Sequence, residues 1–80
     1  MPDIEPKYRL VVTPRLQELL KEQGYSQTEI ARKTGIDQSI ISRFDQQSRH
    51  ADVVLFKLAA ALDCNIQDLF VITYEKHKID

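Results

Sequence analysis

Cysteine occurs once, at Cys64, so an internal disulfide is excluded and one thiol alone cannot assemble a zinc site. Such usage fits a reducing compartment, and a cytoplasmic location is expected. Glycine and proline are scarce, at two and three residues, and 42% of the chain is hydrophobic; this composition favours a packed core over disorder. No apolar run approaches the ~18 residues of a membrane span. The opening MPDIEPKYR lacks the plan of a secretory leader, so no membrane association is expected. Nor is there an excess of positive charge. The net charge of −1 counts against a strongly basic nucleic-acid surface.

That charge is unevenly spread. Gly24 to His50 holds four cations (Arg32, Lys33, Arg43, Arg49) and three anions (Glu29, Asp37, Asp45), whereas Ala51 to Asp80 holds three cations and five anions. Catalytic content is missing as well. Ser42 can be grouped with a histidine and an aspartate, but no glycine elbow or oxyanion-forming pattern accompanies them, so no enzyme is expected. His77 is a lone tail histidine, and no metal or cofactor is expected.

Eighty residues fit one small domain, with no room for an effector or catalytic domain. Residues 1–7, with two prolines and mixed charges, read as a lead-in, residues 8–75 as the domain and 76–80 as a tail. Tyr8–Val12 is β-branched and roughly alternating, as is Val71–Glu75, so a short strand is expected at each end. Their pairing, within one chain or between two, is left open. Thr13-Pro14 reads as a helix start, with threonine as cap and proline in the first turn. Leu16, Leu19 and Leu20 give that helix one buried face, and Gly24 stops it. Asp52 is expected to cap a fourth helix, Val53–Leu62, which is apolar nearly all round and therefore central. A fifth helical turn opens at Asn65 and runs through Phe70.

Between these elements lies QTEIARKTGIDQSIISRF, Gln27–Phe44. Ser26-Gln27-Thr28-Glu29 is a capping box, in which serine and glutamate satisfy each other's backbone donors. It opens a second helix over about residues 27–33, which ends at Gly35, where a left-handed residue is needed. Asp37 caps a third helix over about 38–45, with Ile41 and Phe44 inward. Ala31 stands where the two helices cross. Two short helices locked by a glycine turn are how a helix-turn-helix presents its second helix to DNA. The polar residues left outside, Gln38, Ser39, Ser42 and Arg43, are then base-reading candidates. A glutamine amide pairs with adenine, an arginine guanidinium with guanine, and Ile40 is placed to meet a thymine methyl. Ser26 and Thr28 lie at a helix N-terminus suited to phosphate.

The order and spacing of LQELLKEQGYSQTEIARKTGI, SIISRFD, LFKLAAAL and DLF resemble the Cro/repressor-type (XRE-like) helix-turn-helix family of bacterial and phage regulators, over Leu16–Phe70. The resemblance implies an all-α, five-helix, lambda-repressor-like DNA-binding domain with the two short β-strands at its ends. It further implies that Gln27 hydrogen-bonds a DNA phosphate and braces the recognition helix. Gln38 and Ser39 would reach base edges, Ser42 and Arg43 bases or phosphate, and Arg49 and His50 would run along the backbone. The loop Gln46-Gln47-Ser48-Arg49-His50-Ala51 departs from the family's Asn-Gly and proline pattern, so its turn chemistry differs.

The expected function is a sequence-specific transcriptional regulator, a repressor, acting on double-stranded DNA. With so little positive charge per chain, a homodimer on adjacent half-sites about 34 Å apart is expected. The rival from another class is an antitoxin or interaction module binding a protein partner, with the acidic C-terminal half as its surface.

Overall fold

The breaks between helices fall where the chain supplies either a left-handed glycine or a side-chain cap. In the computed structural model, which describes residues 8–76, four α-helices follow a first strand and precede a second. The expected lead-in, residues 1–7, and the tail from His77 onward lie outside the described residues. The elements are β1 (Tyr8–Pro14), α1 (Leu16–Gln23), α2 (Gln27–Thr34), α3 (Gln38–Arg43) and α4 (Asp52–Ala61), then β2 (Phe70–Lys76). A 3₁₀ turn, Phe44–Gln46, continues α3, and a second, Ile66–Leu69, follows α4.

Gly24 (φ 77°) ends α1 and Gly35 (φ 75°) ends α2. Both occupy the left-handed region that resists a Cβ. Ser26 and Glu29 form the expected capping box, with Glu29 N–H donating to Ser26 Oγ (3.1 Å) and Ser26 N–H to Glu29 Oε1 (3.0 Å). Asp37 caps α3 through Ser39 N–H at 3.5 Å. Leu16, Leu20, Ile30, Ile41, Phe44, Leu58, Leu62 and Leu69 are buried in one cluster that joins all four helices and both 3₁₀ turns, with Ala31 packed at its margin.

Four expectations give way. The fifth helix is a single 3₁₀ turn, Ile66–Leu69, because β2 begins at Phe70 and leaves no length for an α-helix. The first helix does not start at Thr13-Pro14. Those residues finish β1, where Thr13 pairs with Val71 and Pro14 with Phe70, and the helix opens after Arg15. The fourth helix is not buried all round: Val54, Leu58 and Ala59 face the core while Val53 (56% exposed) and Phe56 (64%) face solvent. Its N-cap is Ala51, and Asp52 sits one residue inside, its carboxylate accepting from Val53 N–H at 2.7 Å.

The two strands pair within the chain as an antiparallel ribbon from Tyr8↔Lys76 to Pro14↔Phe70. Only its base joins the helical core, through the Arg15 N–H to Leu69 carbonyl bond (2.9 Å) and Phe70, which packs against the core cluster.

Candidate nucleic-acid interface

The short helix α3 is held by what it buries. Ile41 and Phe44 are fully buried, and Ile36 anchors the turn before it. The remaining positions, Gln38, Ser39, Ile40, Ser42 and Arg43, are exposed. Ser42 Oγ donates back to the Ser39 carbonyl at 3.1 Å, so its lone pairs remain outward. The side chains of Gln38, Ser39 and Arg43 bond to no other side chain or backbone group among the described residues, leaving an amide, a hydroxyl and a guanidinium on one helix face.

Two tethers fix the angle of this helix. Gln27, at the start of α2, donates its amide to Gln17 Oε1 at 2.7 Å, and Gln17 Nε2 donates to the Ile41 carbonyl at 2.8 Å. A chain of two part-buried hydrogen bonds thus joins α2, α1 and α3. At the far end, Asp45 accepts from Leu16 N–H (2.7 Å) and Gln17 N–H (3.1 Å), so its carboxylate caps α1 across 29 residues of sequence. A carboxylate at a helix N-terminus gains from both the free amides and the helix dipole.

The other expected site residues fall in different surroundings. Thr28 is exposed in the first turn of α2, and Arg49 is exposed in the loop before α4. Gln27 is half-buried and keeps one amide proton and its carbonyl oxygen uncommitted. His50 differs from all of these. Its ring stacks on Phe44 at 3.9 Å between centroids, meets Phe70 edge-on, and its Nε2 bonds the Phe44 carbonyl at 2.8 Å. That geometry gives His50 a packing role that closes the loop Gln47–Ala51 onto the end of α3. Of the exposed cations on this half of the chain, Lys33 donates to the Tyr25 hydroxyl at 2.8 Å, while Arg32, Arg43 and Arg49 make no side-chain bond among the described residues.

Gln17 and Asp45 are the residues that sequence reasoning missed. Gln17 lies on the polar side of α1 by its spacing, and Asp45 reads as the last residue of the recognition helix. Neither carries a local signal of a partner so far away in sequence.

Glu29 is held below the usual carboxylate range by the Ser26 backbone N–H and then by the Ser26 hydroxyl. Elsewhere, burial and then the charges of Asp68 and Asp63 push the half-buried Cys64 thiol up, away from the reactive thiolate. Among the described residues, no group of three or more His, Cys, Asp or Glu is arranged to hold a metal, and no helix is long and apolar enough to cross a membrane.

A short exposed polar helix, set by a glycine turn and braced from two neighbours, defines a helix-turn-helix module. Residues 15–75 match the model of the Cro/C1-type HTH DNA-binding domain, and the chain belongs to that family of DNA-binding regulators. No curated protein and no solved structure matches it.

Proposed function

We propose that this chain is a sequence-specific transcriptional repressor that inserts α3 into the major groove of double-stranded DNA. The observation that carries the reading is the uncommitted polar face of α3 on a helix whose backbone is tied to α1 and α2. Gln38 and Arg43 supply the direct discrimination, pairing with adenine and guanine at about 1–3 kcal/mol for each good bidentate contact. Ser39 and Ser42 adapt to either partner, and Ile40 offers apolar contact to a thymine methyl. Gln27, Thr28 and Arg49 hold phosphates, the first two at the N-terminus of α2, where free amides favour an anion. Occupying the duplex is enough to exclude other proteins, so repression needs nothing beyond binding.

The near-neutral charge supports action in pairs. One copy neutralises few phosphates, and a second copy on an adjacent half-site raises affinity through effective concentration. A homodimer on a near-palindrome with half-sites about one helical turn apart follows.

Selection of bound sequences from a randomised duplex pool, repeated over a salt series, tests the proposal. The expected result is a two-fold symmetric motif whose affinity falls steeply with salt. Absence of enrichment together with absence of salt-dependent binding to any duplex overturns it, and leaves a protein-binding module of the same fold.

A further inference from the structure

The terminal ribbon is two-faced. Antiparallel register places Leu10 opposite Tyr74 and Val12 opposite Ile72, so these four side chains share one face. The other face is mixed: it carries the Arg9–Glu75 ion pair, Val11 opposite Thr73, and Thr13 opposite Val71. Yet the apolar face is open, with Leu10 43%, Val12 50%, Ile72 45% and Tyr74 62% exposed. Seven paired residues span roughly 23 Å, which with the helical body accounts for the 49 Å long axis of a molecule only 24 Å by 22 Å across. The ribbon therefore projects from the core. An uncovered two-stranded ribbon is marginal in water; a hydrophobic face needs a third strand or a second layer.

We infer that this apolar face is covered by the same face of a second copy, and that it forms the dimer interface on which the paired DNA reading above rests. The four side chains leave roughly 400 Å² in solvent, within the range of the largest apolar patch of a monomer, which is often functional. With the intervening backbone and Phe70 at the base, the face approaches the ~600 Å² per partner at which specific interfaces begin. A two-fold interface requires a patch that matches itself. The four side chains at its centre carry no charge to repel their counterparts. Stacked tip over base, which keeps the two helical bodies at opposite ends, Leu10 of one copy lies over Val12 of the other and Tyr74 over Ile72. The larger residue of each strand thereby meets the smaller.

The test is sedimentation equilibrium of the full chain over a concentration series, alone and on selected DNA. Val12→Lys and Ile72→Lys are expected to raise the dimer dissociation constant at least about a hundredfold, since each buries an unpaired charge twice. Thr73→Lys, on the opposite face of the same strand, and Phe56→Ser, on the separate exposed patch of α4, are expected to shift it less than about threefold. Far-UV circular dichroism reports whether each variant is folded. As a second measurement, Ile72→Cys in a Cys64→Ala background is expected to cross-link with a short bis-maleimide, and Thr73→Cys is not. A wild-type dimer that survives both lysines, or that Phe56→Ser breaks instead, overturns the ribbon assignment and leaves the dimer reading standing. A wild type that stays monomeric, even on DNA, overturns both.

Discussion

Gln27 and Gln17 are joined by a 2.7 Å hydrogen bond from the Gln27 amide to the Gln17 carbonyl oxygen. Because Gln17 passes a second bond to the Ile41 carbonyl, a side chain at the start of α2 is coupled to the backbone of α3. Removing Gln17 takes the one partner from the half-buried Gln27 amide and one of two from the Ile41 carbonyl, which keeps the Phe44 N–H; a polar group left unsatisfied and dry costs about 1–3 kcal/mol. Gln17→Ala is expected to destabilise the fold by about 1–2 kcal/mol, at the low end because water reaches the site. In a cycle with Gln27→Ala the two losses should fail to add by roughly 0.5–1.5 kcal/mol. Urea denaturation of the four proteins measures this, and strict additivity removes the relay.

Asp45 offers a second test of what holds α3 in place. Its two oxygens serve two backbone amides of α1. Asp45→Ala is expected to cost about 1–2 kcal/mol, whereas Asp45→Asn, which retains a capping oxygen, recovers most of it. Equal losses in both variants, read from denaturant midpoints, would mean that charge rather than the cap geometry carries the effect.

These two residues also show where sequence reading stops. The capping box at Ser26, the glycines at 24 and 35 and the Asp37 cap are legible because partner and cap lie within four residues, where backbone geometry alone decides. The start of α1 is not. Thr13-Pro14 carries a sound local helix signal, but pairing with Val71 and Phe70 draws both into the ribbon, and the cap comes from Asp45 instead. Tertiary partners override local preference there. Composition alone also misjudges α4: in a helix apolar nearly all round, Lys57 is the one interior residue marking the outward side that Val53 and Phe56 share. On the candidate site, the exposed face of α3 is readable from the inward step of Ile41 and Phe44. The capture of His50 by Phe44 depends on a loop whose turn has no sequence signature.

That capture separates His50 from its neighbour. His50→Ala removes a ring stacked at 3.9 Å and a bond to the Phe44 carbonyl. Its expected cost is about 1–3 kcal/mol in stability, with DNA affinity per folded molecule nearly unchanged. Arg49→Ala is expected to do the reverse, leaving stability within about 0.5 kcal/mol and lowering the salt slope of binding by about one. Denaturation and a salt-dependent DNA titration on each variant distinguish the two roles.

Acid should weaken the second helix through Glu29. Bonds from Ser26 hold this carboxylate below its usual range in the folded chain. A depressed folded value means that its contribution is fully present above the ordinary carboxylate range and is lost as pH falls through the folded value. The thermal midpoint of the wild type should therefore drop on acidification through that window, and Glu29→Gln should flatten this part of the profile. A variant whose acid limb overlays the wild type would detach the capping box from the pH dependence.

Arg43 carries the sharpest expectation. It stands on the exposed side of α3, in the turn opposite the buried Ile41 and next to buried Phe44, so the backbone beneath it is fixed while its guanidinium is uncommitted. A planar fork of this kind reads guanine through two acceptors that no other base presents together in the major groove. Arg43→Ala is expected to weaken specific binding by about 1–3 kcal/mol, roughly 5- to 150-fold, and to relax preference at one base position in each half-site. Stability should change little, because the side chain makes no bond inside the fold. Arg43→Lys keeps the charge but loses the fork, so it should restore phosphate attraction without restoring discrimination. Affinities across a panel of single-base variants of the selected site decide the matter. A loss that is uniform over the panel, and that Arg43→Lys repairs, would make Arg43 a phosphate contact and leave Gln38 as the main base reader on the helix.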